Sequence, residues 1–196
     1  MTKNLTKKNL PSYRYLLSRH TSVRSSSTLL ICMLNPSTAD EEKNDPTILS
    51  VCRLAKNGGF GRLLVLNLLG VRATNPFDIW AYEDPLGVDN YRTWDRVLKE
   101  ELIPGVDTIS VAWGRAPKER RQLLHFIPAL AEAYCRLKPW RKSVMTWVQN
   151  IDGSPRHPLY ISGRTELQPY DLDSYVKDIL QRNNTLLSNN LKDFVE

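Results

Sequence analysis

Four short polar segments carry the residue types best suited to chemistry: Asn35-Pro36, Asn67, Trp113-Gly114 and Arg156-His157-Pro158. Each follows an apolar run. An asparagine amide both donates and accepts, so it can read the edge of a flat polar ligand. A histidine can donate, accept or carry a proton near neutral pH. Asn67 has two readings: an amide presented at the strand end where α/β sheets bind ligands, or a cap on the next turn. His157 is either a site residue or an ordinary loop histidine. Asp40 is the nearest acid in the Asn35 loop, and it either serves a site or caps local backbone. The loop from Ser37 to Asp40 can bind phosphate, but it lacks the glycines of a P-loop or dinucleotide fingerprint.

The elements that must position these residues are readable from periodicity. Six of the seven residues from Leu63 to Leu69 are aliphatic, without alternation, as in a strand buried on both faces. Residues 28–34, 107–114 and 144–148 give three further strands. Tyr13, Tyr15 and Leu17 share one face of a short edge strand within residues 12–19. Asp45-Pro46 opens a helix closed by Asn57-Gly58-Gly59, with Ile48, Val51, Cys52 and Ala55 inward. A short helical segment is expected near Phe77 to Tyr82. Residues 88–102 form a helix with Tyr91, Trp94, Val97 and Leu98 as its stripe, broken by Pro104-Gly105. Residues 118–137 form another, with Leu123, Leu124, Ile127, Leu130 and Ala131 inward and Pro128 as a kink. A last amphipathic segment spans residues 172–180. Strand–helix alternation makes this an α/β chain with a mostly parallel sheet, and right-handed crossovers bring the four polar segments to one edge. Leu159 and Tyr160 either belong to that edge or begin another strand.

At 196 residues the chain reads as one domain, with residues 1–10 and about 183–196 expected to be flexible. It is 41% hydrophobic and 24% charged, ordinary for a soluble protein. No run approaches a membrane span, and the basic start has no apolar run behind it, so it is not a secretory signal. Cys32, Cys52 and Cys135 lack C-x-x-C spacing and read as reduced core thiols in a cytoplasmic protein, not as metal ligands. The net charge of +6 permits nucleic-acid binding without requiring it. Basic residues gather at 3–8, 115–121 and 136–142, each of which can equally be a solvated face.

The four segments together resemble the uracil-DNA glycosylase superfamily, over about residues 28–162. Met33-Leu34-Asn35-Pro36-Ser37 looks like its first motif and Leu66-Asn67-Leu68-Leu69-Gly70 like its second. Val111-Ala112-Trp113-Gly114 with the basic helix behind it is similar to the third. Ser154-Pro155-Arg156-His157-Pro158-Leu159 looks like the closing His-Pro motif. The pairing of Leu34-Asn35-Pro36-Ser37-Thr38-Ala39-Asp40 with Gly153-Ser154-Pro155-Arg156-His157-Pro158-Leu159 resembles the DUF1643 branch in particular. Asn35 stands where the most active branch has Asp, as it does in mismatch-specific branches. Pro158 is followed by Leu159-Tyr160 instead of Ser-Pro. The iron–sulfur branches have four cysteines and this chain has three.

The resemblance implies a three-layer α/β/α fold with a central four-stranded, mostly parallel sheet and room for the extra N-terminal edge strand. It implies a monomeric DNA glycosylase that flips a pyrimidine from duplex DNA, cuts its glycosidic bond and leaves an abasic site, with no cofactor and no metal. Catalytic roles fall to Asn35, His157 and, as a substitute acid, Asp40. Asn35 can orient water but cannot take its proton; His157 can donate to the pyrimidine O2 as charge develops there. Asn67, Ser37, Pro36 and Phe60 fall on the substrate side, and Arg115, Lys118, Arg121, Ser154, Arg156, Leu159 and Tyr160 on the DNA side. Uracil-specific relatives carry a bulky Tyr at the position of Ser37. A small Ser leaves room for a pyrimidine enlarged at C5, such as glucosylated hydroxymethylcytosine in phage DNA, which fits anti-phage defence or a phage's own enzyme. Two other classes remain: a non-catalytic module that captures a modified base, and an enzyme acting on free nucleotides.

Overall fold

The central strands are apolar without alternation because each strand's two faces both meet protein. The computed structural model describes residues 11–103 and 107–183. Among these, six strands form one sheet in the order β1-β3-β2-β4-β5-β6. They are β1 (Leu17–His20), β2 (Thr28–Met33), β3 (Arg62–Asn67), β4 (Thr108–Val111), β5 (Val144–Thr146) and β6 (Gln168–Pro169). The four inner strands run parallel. The edge strands β1 and β6 are antiparallel to their neighbours. Leu29, Ile31, Met33, Leu63 and Val65 face one layer. Leu30, Cys32, Leu64, Leu66, Ile109 and Val111 face the other.

The first layer is α1 (Pro46–Asn57), which buries Ile48, Val51, Leu54 and Ala55. The second contains α2 (Asn90–Arg96), α3 (Arg120–Leu137) and α4 (Leu172–Arg182), which supply Trp94, Phe126, Ile127, Leu130, Tyr175 and Val176 to that core. This is the expected three-layer α/β/α arrangement around four parallel strands. The strand that the sequence does not announce is β6, two exposed residues held to β5 by main-chain pairing.

Several boundaries shift for identifiable reasons. The N-terminal edge strand starts at Leu17, and the backbone before it touches the sheet through a bridge between Tyr13 and Val71. The Tyr13 and Tyr15 rings stack instead, with centroids 5.9 Å apart. The helix expected from residue 88 begins at Asn90, with Val88 exposed, and its last turn, Val97–Glu101, is π-helical. Pro128 lies inside α3 as expected, but Leu124 points outward and Phe126 and Tyr134 take core positions. Of the three cysteines only Cys32 is fully buried; Cys52 and Cys135 are partly accessible, and all are free thiols. No helix of the described residues is long and apolar enough to cross a membrane. The basic run at residues 3–8, the Pro104-Gly105 break and the tail from residue 184 lie outside the described residues.

Strand order sets the location of the site. The connection after β2 leads through α1 to β3 on one side, and that after β4 leads through α3 to β5 on the other. The chain therefore splays apart between β2 and β4 at their carboxyl ends, where doubly wound sheets form their binding crevice.

Candidate functional site

Beyond Met33 the chain cannot continue as a strand, because Pro36 lacks a donor and restricts Asn35 to extended geometry. The resulting loop is held by fixed hydrogen bonds. Asn35 Nδ2 donates to the carbonyls of Pro36 at 2.7 Å and Ala73 at 3.0 Å. Ala73 N–H donates to the Pro36 carbonyl at 2.9 Å. Two carbonyl partners demand that the amide nitrogen face them, so Asn35 Oδ1 is left as an acceptor for a ligand. Arg72 forks onto the carbonyls of Ser37, Thr38 and Ala39 at 3.1–3.2 Å. Arg14 also donates to the Ala39 carbonyl, and Arg19 reaches those of Asp40 and Lys43.

This loop forms one wall of a cavity of about 340 Å³ at the carboxyl edge of the sheet. Its polar lining is Arg14, Asn35, Ser37, Asp45, Thr47, Thr74 and His157, with Met33, Ile48 and Leu159 among the apolar residues. The volume lies at the lower end of small-ligand sites. Asn35, Ser37, His157 and Leu159, nominated separately by sequence, thus share one cavity.

His157 is positioned from both sides. Its turn, Pro158–Tyr160, is 3-10 helical and docks on α1, where Ser50 Oγ donates to the Pro158 carbonyl at 2.9 Å. The Pro158–Tyr160 segment is therefore no strand. On the other side, Gly114 adopts a left-handed conformation, and a Cβ there would stand 3.7 Å from His157 Cβ. Gly114 N–H donates to the Pro155 carbonyl at 2.9 Å, joining the third and fourth motifs. His157 Nδ1 accepts from the Leu159 N–H at 3.4 Å, an arrangement that places the proton of the neutral ring on Nε2. Desolvation by its surroundings lowers the His157 pKa, and the Asp45 charge partly opposes that shift. The side chain is nonetheless solvent-exposed, and the direction of the shift favours the neutral form with its donor at Nε2.

Asp45 and Arg14 belong to the cavity although sequence reasoning gave neither a site role. Asp45 is the cap of α1 and is 6% exposed. Its Oδ1 accepts from Ile48 N–H at 2.9 Å and its Oδ2 from Ala39 N–H at 3.1 Å. Arg14 is largely desolvated, and burial, then the neighbouring Arg72 charge, lower its pKa to about 10. Its Nε is buried without a partner. The cap motif Asp45-Pro46-Thr47 was visible in the sequence, but a cap alone does not say what else the carboxylate meets. Arg14 carried no signal beyond its charge.

Other nominated residues fall elsewhere. Asp40 lies outside the cavity, and its Oδ1 accepts from Glu42 N–H at 3.0 Å and Lys43 N–H at 2.7 Å. Those bonds lower its pKa, as befits a turn-capping carboxylate. Phe60 precedes β3 and lines a separate cavity of about 760 Å³ at the amino-terminal end of the sheet, opposite the Asn35 loop. Ser154 is buried in its own loop, donating to Asp152 Oδ1 at 2.6 Å and accepting from Asn150 Nδ2 at 2.9 Å. It presents nothing outward. Pro36 is buried and contributes its carbonyl to the loop scaffold. Asn67 ends β3 on the same face as Met33, 1% exposed, with Oδ1 lacking any partner. It caps nothing through that oxygen, and it lies outside the residues lining the cavity. Arg115, Lys118, Arg121, Arg156 and Tyr160 are exposed around this edge, with Arg115 Nε 3.6 Å from Asp152 Oδ2. Among the described residues no group of three or more His, Cys, Asp or Glu could hold a metal ion.

Fold and cavity together define an α/β/α protein with a small polar site at the carboxyl edge of its sheet, between the loops after β2 and β3, the start of α1 and the loop after β5. The chain belongs to the family described as a protein of unknown function (DUF1643), which matches residues 14–159. That span runs from Arg14 on the cavity wall to Leu159 beside His157. No curated protein and no solved structure matches the chain.

Proposed function

We propose that this protein is a DNA glycosylase that hydrolyses the N-glycosidic bond of a flipped pyrimidine, with a C5-modified cytosine as its substrate class. The observation that carries the reading is the meeting of Asn35 Oδ1, a neutral His157 with its proton on Nε2, and the small Ser37 in one cavity. Bond breaking builds negative charge on the base and positive charge on the sugar, and fixed dipoles lower that barrier. His157 Nε2–H meets the base oxygen as charge grows there. Asn35 Oδ1 accepts a hydrogen bond from the attacking water and orients it toward C1′. Ser37 leaves the C5 side of the base open. Leu159 fills the apolar side of the cavity. The exposed Arg115, Lys118, Arg121 and Arg156 offer partners for phosphates, and Tyr160, 82% exposed, is placed to enter the gap left by the base. Defence against phages with modified genomes is one setting for such an activity, and a phage's handling of its own bases is another.

The test is incubation with duplex DNA carrying uracil, hydroxymethylcytosine or glucosylated hydroxymethylcytosine, with mass spectrometry of released bases. Release of an enlarged cytosine, reduced about 10²–10³-fold by His157→Ala, supports the reading. Strong release of uracil alone would remove the open C5 side. Tight binding of modified duplex without base release would favour a base-capturing module, and activity confined to free nucleosides would favour a nucleotide enzyme.

A further inference from the structure

The cavity contains an amide at position 35, and an amide cannot take a proton from water at neutral pH. Asp40, the acid nearest to it in the same loop, lies outside and spends its carboxylate on its own turn. One carboxylate lines the cavity among the described residues, and it is Asp45. We infer that Asp45 is the general base of this site, accepting a proton from the water that Asn35 orients. The inference rests on the glycosylase reading and supplies the step that reading lacks.

The geometry supports it in three ways. Asp45 is nine-tenths buried, yet it is part of the cavity wall, so it is shielded from bulk water while open to the site. Each carboxylate oxygen accepts one backbone N–H, from Ile48 and from Ala39. Those bonds fix its orientation and leave a further lone pair on each oxygen. The Ala39 bond also ties Asp45 to the Asn35–Ala39 loop, and α1, which Asp45 caps, carries the turn that holds His157. The water-orienting amide and the base thus share α1 and its entry loop, and the turn after β5 that bears the leaving-group donor docks on the same helix. The other titratable groups sharing this wall are the Arg14 guanidinium and the neutral His157.

The step balances. The water oxygen forms a bond to C1′ while one of its protons passes to the Asp45 carboxylate. The C1′–N bond breaks and its electron pair leaves with the base, whose oxygen is held by His157 Nε2–H. The base anion then takes a proton from solvent, Asp45 returns the proton it gained to solvent, and the sum is addition of H to the base and OH to the sugar.

Asp45→Asn keeps the Ile48 cap through its single amide oxygen and gives up the bond from Ala39 N–H, so stability is read beside the rate. With duplex DNA containing glucosylated hydroxymethylcytosine, hydroxymethylcytosine or uracil, single-turnover release by Asp45→Asn is expected to fall at least about 10²-fold. Its Tm is expected to fall by a few degrees from loss of the Ala39 bond, and its affinity for the same duplex to stay at the wild-type value. Release within threefold of wild type overturns the role of Asp45 alone. If the wild type releases no base from any of the three duplexes, the glycosylase reading fails and the inference fails with it. Recovery of Asp45→Asn release to within threefold of wild type when it is assayed at a temperature lowered by its own Tm shift overturns the inference in favour of a structural role.

Discussion

His157 is a ring whose protonation the protein biases toward neutral, which suits a donor that must not already carry a charge. Its folded pKa lies below the ordinary value of 6.5 because desolvation outweighs the pull of Asp45. An NMR titration is therefore expected to give a midpoint below 6.5, and Asp45→Asn to lower it further by removing the one opposing charge. A midpoint that rises in Asp45→Asn contradicts this placement of the two groups. The stability consequence has a definite sign. The unfolded chain binds the proton more readily, so the contribution of neutral His157 is complete above about pH 6.5. It declines as the pH falls from there to the folded pKa and is constant below. Urea unfolding should show this decline, and His157→Gln should flatten it, leaving the smaller slope from His125, whose pKa burial also lowers.

At the scale of elements, the loop from Asn35 to Asn44 is the part most dependent on partners outside itself. Three arginines, Arg14, Arg19 and Arg72, donate to its carbonyls. Arg72→Lys keeps the charge but loses the planar fork. Amide exchange in residues 37–40 is expected to quicken in that variant, with the sheet unaffected. The entry to α1 is set by Asp45, and Asp45→Ala should cost about 1–2 kcal/mol in urea unfolding, while Asp45→Asn, which keeps the Ile48 bond and loses the Ala39 one, should cost less. The start of β3 depends on Gly61. A Cβ there would lie 1.9 Å from the Ser25 carbonyl oxygen, a backbone atom that cannot step aside. Gly61→Ala is expected to destabilise by about 1–3 kcal/mol, and a neutral effect would mean that the 21–27 connection does not pack as described.

Across the whole molecule, charge is distributed unevenly with respect to the site. Arg115, Lys118, Arg121 and Arg156 are exposed near the carboxyl edge. The group at residues 136–142, by contrast, lies between the end of α3 and the start of β5, at the amino-terminal end of the sheet; there Lys138, Arg141 and Lys142 are exposed, while Arg136 is bound to Asp95 at 2.8 Å and Glu132 at 2.6 Å and lies 4.4 Å from the Tyr91 ring centre. The first set should therefore govern DNA binding. Each of Lys118→Ala and Arg121→Ala is expected to weaken duplex binding at all sequences and to reduce the log–log salt slope by about 0.9. Arg136→Ala should instead reduce stability and leave that slope unchanged. Equal salt slopes for all three variants would place the nucleic-acid face elsewhere.

Much of the fold was determined by the sequence itself. Unbroken apolar runs in residues 28–34 and 63–69 require protein on both faces, and the Asp45-Pro46 start and Gly58-Gly59 stop of α1 are local chemistry between near neighbours. The convergence of Asn35 and His157 also followed, since parallel strands with one-handed crossovers leave their carboxyl ends together. Position within that edge did not follow. Asp40 and Asp45 stand five residues apart in one loop, and only the tertiary structure turns Asp45 into the cavity while Asp40 closes its own turn. Phe60 lies next to β3 in the chain but at the wrong end of it, and β6 exists only because β5 offers an unpaired edge. Periodicity records which face a side chain takes; the direction of a loop, and the partners it finds, depend on contacts between residues distant in the chain, such as Arg14 and Arg72 with the carbonyl of Ala39.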